Sequence, residues 1–158
     1  MASGWTGDHL NEMSIHVNQD LIFFPVLFLV LMTLLLYVRL IKVKIRAIKA
    51  GQVDQARRPL HEDAWPDSVL QVNNSIRNQF ELPVLFYVVC VVLWELEAVG
   101  VLALGAAWLF VLSRIVHAWI HLTSNVVKHR RRAYTVGWWL LLFLVLLTIW
   151  QLAGRALT

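Results

Sequence analysis

AYTVGWWLLLFLVLLTIWQLAG, residues 133–154, runs for 22 positions without a charged side chain. A helix of that length extends about 33 Å, which matches the hydrocarbon thickness of a bilayer. Three further runs read the same way. Leu21 to Val38 holds 18 uncharged residues and ends at Arg39. Leu82 to Trp94 is only 13 residues long, but carried back through a polar stretch to Asn73 it reaches 22. Ala98 to Ser113 is also uncharged, and its helix is expected to continue past Arg114 to about Leu122. The sequence predicts an all-α membrane protein with one domain over 1–158 and four transmembrane helices, over about 21–45, 69–95, 98–122 and 133–154. Pro25 and Pro83 fall inside two of the spans, where bilayer helices tolerate proline if neighbours satisfy the freed carbonyls.

Composition agrees. Of 158 residues, 59% are hydrophobic and 15% charged, with a mean hydropathy of +0.63; soluble domains run at about 45–50% and about 25%. A chain this short has too much surface for its volume to hide so many apolar side chains from water. That excludes a soluble monomer, and the apolar content excludes intrinsic disorder. The net charge of +4 does not indicate nucleic acid, because the basic residues cluster beside apolar runs and form no aromatic-interleaved basic surface. The single cysteine, Cys90, lies in an apolar run and reads as packing filler, so neither an internal disulfide nor a Cys-based metal cluster is expected. The first 20 residues hold no Lys or Arg, unlike the basic start of a signal peptide, so the first run is expected to stay attached as the first span.

Charge placement orients the spans. Asp8, Glu12 and Asp20 precede the first, and Arg39, Lys42, Lys44, Arg46, Lys49, Arg57 and Arg58 follow it. The second turn carries Glu95 and Glu97, and the third carries Lys128, Arg130, Arg131 and Arg132. Eleven of the 14 Lys and Arg residues therefore sit on two loops facing one side. The positive-inside rule makes that side cytoplasmic and puts both termini outside, with Trp94 and Trp150 near the outer interface. Residues 51–67, rich in Gly, Gln, Asp, Arg and Pro, read as a loop in which Pro59 and Pro66 limit helix.

Polar side chains inside spans are costly, so they mark protein interiors and function. On the second span Asn74, Arg77, Asn78 and Glu81 recur at steps of three and four, which is one helix face. The third span repeats this with Arg114, His117, His121 and Asn125; Arg39 ends the first span, and Arg130 and Tyr134 open the fourth. All map to one end of the bundle. Each alone has a structural reading: an intrahelical Arg77–Glu81 pair, Arg114 snorkelling or pairing with Glu81, and Asn73, Asn74 and Ser75 as a helix cap. His117 and His121 have the spacing of zinc and haem sites but no clear third ligand. Their convergence favours function. Guanidinium groups with Asn, His and Tyr donors suit an anion carrying carboxylates, Glu81 could accept from an ammonium, and a thiol beside Arg130 would have its thiolate favoured.

These residues resemble the MAPEG family, the membrane-associated proteins of eicosanoid and glutathione metabolism. Arg77-Asn78-Gln79-Phe80-Glu81-Leu82-Pro83 looks like the family's Asn-x-x-Glu followed by Pro on helix two. Arg114-x-x-His117-x-x-x-His121 and then Arg130-x-x-x-Tyr134 resemble its helix-three and helix-four motifs, and Val38-Arg39-Leu40 its helix-one arginine. The resemblance covers nearly the whole chain. It implies a homotrimer with glutathione between subunits near the cytoplasmic face, lined by Arg39, Arg77, Asn78, Glu81, His117 and Tyr134, with Arg130 stabilising the thiolate. Asn74, Arg114 and His121 join the candidate binding residues from the same stripe. The chemistry implied is transfer of glutathione to lipophilic electrophiles, peroxide reduction or endoperoxide isomerisation. The short loops look like the family's bacterial branch, hence an inner-membrane protein. Asn74 and Ile76 stand where the family's eukaryotic enzymes usually carry Arg and His or Gln, and His121 stands where they carry Tyr. That thinning of the anion site keeps open a non-catalytic protein of the same fold that binds a lipid headgroup, another anion or a protein partner. A channel or transporter is disfavoured, since no inverted repeat is visible.

Overall fold

The computed structural model describes residues 17–157. Asp8 and Glu12, used above to orient the chain, lie outside the described residues. Five α-helices make four membrane-length segments: α1 (Phe23–Lys49), α2 (Asp67–Arg77), α3 (Leu82–Glu95), α4 (Val101–Leu122) and α5 (Val127–Ala156). A 3-10 turn over Gln19–Ile22 leads into α1, so Pro25 sits in the first turn of the α-helix, a position that proline favours. Gln19–Lys49, Asp67–Glu95, Val101–Leu122 and Val127–Ala156 are each long and apolar enough to cross a bilayer. The protein is an integral, multi-pass four-helix membrane bundle.

The second segment is not one helix. A 3-10 turn over Asn78–Phe80 separates α2 from α3, and Glu81 has φ −101° and ψ −106°, outside the helical region. Pro83 explains the break: it has no N–H to give Gln79, and it occupies the first turn of α3 instead. The face expected from Asn74 to Glu81 is therefore interrupted before Glu81. Asn73, Asn74 and Ser75 are not a cap either; α2 starts at Asp67 after Pro66, which puts them in its middle. Helix α5 begins six residues before the uncharged run, so the basic Lys128–Arg132 stretch is helical.

Half of the α4 span is buried, against 22–39% for the other three, which makes α4 the central helix. Its Ala103, Ala106 and Ala107 let neighbours approach closely, and Phe110 stacks on Phe86 with ring centroids 4.4 Å apart. Cys90, Leu29, Leu93 and Leu144 complete this core. At Gly137, α5 comes so near α4 that a Cβ would stand 2.8 Å from Ser113 Oγ. Outward-facing Leu27, Leu34, Leu109, Leu112 and Leu146 leave an apolar exterior suited to lipid.

The two ends of the bundle differ. At the acidic end Trp94 Nε1 donates to Asp20 Oδ1 at 2.9 Å, Gln19 bonds to both the N–H and the C=O of Val99, and Arg155 donates to the Leu96 carbonyl. At the basic end a second core of Leu36, Leu40, Ala47, Val53, Val69, Val72 and Ile76 joins α1 and α2 to the segment between them.

Candidate functional site

Helix α4 carries the centre of the site. Arg114, His117 and His121 share a face by their three- and four-residue spacing, and that face points inward: they are 0%, 3% and 2% exposed. A guanidinium at such depth is costly unless its donors are engaged. Arg114 Nη2 donates to the Asn78 carbonyl at 3.0 Å, in the turn that breaks the second segment. Its guanidinium carbon lies 5.7 Å from the Tyr134 ring centroid, a cation–π contact. Arg114 Nε and Nη1 have no partner among the described residues.

The two imidazoles are held as opposite tautomers. His117 Nδ1 lies 3.1 Å from the Arg130 carbonyl; a carbonyl only accepts, so Nδ1 bears the hydrogen and the neutral ring keeps its lone pair at Nε2. His121 Nε2 takes a hydrogen bond from Arg130 Nη1 at 3.2 Å, so its neutral ring bears the hydrogen on Nδ1. His117 Nε2 and His121 Nδ1 are unpartnered among the described residues. The rings meet edge-on at 6.1 Å, and His117 lies 5.8 Å from Tyr134.

Arg130 reaches this cluster from α5 because of the turn that ends α4. Asn125, expected on the third span, lies beyond its end at Leu122. With φ +49° it occupies the left-handed region that Asn tolerates, and its N–H donates to Ile120 O at 2.8 Å. Its Oδ1 then accepts from Arg130 Nη1, also at 2.8 Å. One residue closes the turn with its backbone and aims the guanidinium with its side chain.

The remaining candidates are placed differently. Asn74, Arg77 and Glu81 are exposed on the outside of the chain. Arg77 pairs with Glu62, not Glu81; that pair and Arg57–Asp63 are the ion pairs among the described residues. Glu81 makes no ion pair among the described residues. Asn78 Nδ2 is spent on the Asn74 carbonyl at 2.9 Å. Arg39 is exposed as well and makes a long contact, 3.5 Å, to Leu122 O. The cluster thus unites Arg114, His117, His121, Arg130 and Tyr134 with the backbone of Asn78. It excludes Asn74 and Arg77.

Three polar residues beside the site are not among the sequence-derived candidates. Gln71 Nε2 donates to His121 O at 2.6 Å, while Ser75 and Gln79 are 0% and 2% exposed, with Gln79 Nε2 on Ser75 O at 3.2 Å. Their four-residue spacing on α2 is the signal that marks them. Among the described residues no three His, Cys, Asp or Glu side chains group to hold a metal ion. The two guanidinium groups beside the imidazoles also repel a cation.

Fold and site define a multi-pass membrane protein whose four-helix bundle buries a cationic, hydrogen-bonding cluster at its basic end. The chain belongs to the MAPEG family, whose family model matches residues 22–150 and so includes every residue of the cluster. No curated protein and no solved structure matches the chain.

Proposed function

We propose that the protein is a membrane-embedded glutathione-dependent transferase or peroxidase acting on lipophilic electrophiles or hydroperoxides, with Arg130 stabilising the thiolate. Family membership supports glutathione-related chemistry in general terms. The observation that carries the reading is a set of four buried nitrogens without partners among the described residues: Arg114 Nε and Nη1, His117 Nε2 and His121 Nδ1. Three are donors, two of them on a cation, which suits carboxylate. Glutathione has two carboxylates, an ammonium and a thiol; Arg114 and Arg39 supply cations, Arg77 does so only by leaving Glu62, Glu81 supplies the anion, and Arg130 is half-buried at the rim.

Arg39, Asn74, Arg77 and Glu81 face outward, where lipid would solvate them poorly. In this reading a second copy covers them, so the working unit is a homotrimer with glutathione between neighbours. The basic end is cytoplasmic and both termini lie outside, in a bacterial inner membrane.

The positive charge of Arg130 favours thiolate over thiol. His117 Nε2, the one lone pair among the four nitrogens, is the acceptor in the cluster for the thiol proton. In conjugation the sulfur bonds to the electrophilic carbon as the leaving group departs with its electron pair. In peroxide reduction the sulfur attacks one peroxide oxygen, the O–O bond breaks and the alcohol leaves; a second thiol then forms the disulfide and releases water. The chain offers no thiol of its own here, since its single cysteine, Cys90, is buried in the apolar core. The electrophile has a route from lipid: an apolar groove of about 350 Å³ lined by Leu109, Leu112, Ser113, Val116, Val136 and Leu140 lies on the two helices that carry the cluster.

Turnover of 1-chloro-2,4-dinitrobenzene and cumene hydroperoxide with glutathione tests the reading. Loss of one electrostatic stabiliser predicts a fall of at least about 100-fold in Arg130→Ala, with unchanged elution and circular dichroism. Retained turnover in that variant, or turnover lost together with the fold, would overturn the role given to Arg130. Two observations favour the non-catalytic reading, namely that Ile76 is buried in the second core and that Arg77 is committed to Glu62. A co-purified phospholipid and no thiol ligand in native mass spectrometry would support it.

A further inference from the structure

Between α1 and α2 the chain builds a second polar cavity, lined by residues outside the cluster. The segment is folded: Val53 packs against Leu40, Ala47 and Val69, and Ala64 is buried. Asp54 N donates to Ala64 O at 3.2 Å, and Asp54 Oδ1 accepts from the N–H groups of Ala56 and Arg57. Arg57 pairs with Asp63 at 2.7 Å, and Glu62 with Arg77. The result leaves an open cavity of about 260 Å³, with Lys44, Arg58, His61, Glu62, Trp65 and Asn73 in its wall.

The charges around this cavity do not balance. Asp54, Glu62 and Asp63 are each engaged, as above. Lys44 Nζ lies 4.8 Å from the Trp65 ring centroid, and Arg58 is half-buried. Neither makes an ion pair among the described residues. Glu62 also lines the cavity, but Arg77 takes its carboxylate, so Lys44 and Arg58 stand uncompensated at one cavity and repel unless an anion joins them. Depth indicates which anion. Lys44 follows Arg39, where the uncharged run ends, by five residues, about 7.5 Å along the helix, which places it in the headgroup layer. Leu60, 88% exposed at the cavity rim, offers an apolar tip at that level. The volume is many times the about 30 Å³ share of one water.

We propose that this cavity is a phosphate-binding site, in which Arg58 and Lys44 neutralise the phosphate, Asn73 donates to it, and Trp65 forms one wall. The phosphate can come from a phospholipid headgroup or from a soluble phosphate ester, and the test separates the two. Native mass spectrometry of the full chain, titrated with phosphatidylglycerol, should retain one lipid per chain. Removing two cations in Lys44→Gln/Arg58→Gln should weaken that retention by about thirtyfold. Lys128→Gln/Arg132→Gln removes the same charge from the other basic stretch and should leave retention unchanged. Arg58→Glu provides a second variant, since Arg58 makes no ion pair among the described residues. Glycerol 3-phosphate binding with the same dependence on Arg58 would mark a site open to soluble esters; binding of the lipid alone would mark a headgroup site. Equal retention of lipid by folded Lys44→Gln/Arg58→Gln and Arg58→Glu, or equal loss in both double variants, would overturn the proposal.

Discussion

The polar residues of α4 and α5 and those of α1 and α2 have opposite fates. Arg114, His117 and His121 are buried and, with Arg130, bonded to one another or to backbone of the same chain. Arg39, Asn74, Arg77 and Glu81 are exposed, Arg39 with a long contact to the Leu122 carbonyl and Arg77 tied to the segment before α2. The difference teaches that one chain closes the cationic cluster by itself, whereas the exposed set meets a ligand only if, as proposed above, a second copy covers it.

Breaking the inward half should do most damage. Arg130→Ala is expected to cost at least about 100-fold in turnover, read from conjugation and peroxidase assays. The outward half should affect ligand without affecting fold. Glu81→Gln removes a charge for the ammonium and should weaken glutathione binding about tenfold, within the range for one charged hydrogen bond. Its thermal unfolding should match the parent. A large loss of stability there would mean Glu81 serves the fold and would blur the comparison.

The α4–α5 contact sharpens it further. Gly137→Ala drives a methyl onto Ser113 Oγ, which already donates to Phe110 O at 2.7 Å. A cost of about 1–3 kcal/mol is expected from overpacking, measured by denaturant unfolding in detergent. Gly137→Ala/Ser113→Ala should recover most of it, because the two atoms in conflict are then no longer both present. The smallest effect lies in the exposed segment before α2. The Arg57 guanidinium holds the Asp63 carboxyl below its ordinary value of 3.8. A depressed carboxylate pKa means the pair helps the folded state above the ordinary value and stops helping as pH falls through the lowered one. Arg57→Ala should return the Asp63 titration, followed by NMR, toward 3.8 with no change in melting temperature.

Much of this was legible in the chain. Uncharged runs reveal the four crossings because lipid admits little else at that length. The spacing of Arg114, His117 and His121 shows a shared face, since three- and four-residue steps permit no other placement on a helix. The break at Glu81 was harder to read. Pro83 is visible, but whether a proline kinks a span or restarts it depends on what the neighbouring helix offers the freed carbonyls. The fates of Arg77 and Asn125 were hidden for a related reason. A long side chain finds its partner through tertiary contact, so Glu62, 15 residues away, displaced Glu81, four residues away. Ser75 resembles a cap from sequence alone, and apart from their four-residue steps to Ser75 nothing in the chain distinguishes Gln71 and Gln79 from polar residues at a span's end.

Calorimetric titration of glutathione into the detergent-purified protein, with Arg130→Ala and Glu81→Gln alongside, tests the central claim most directly. The account predicts saturable binding that weakens in both variants. A folded oligomer that takes up no glutathione at millimolar concentration would contradict it.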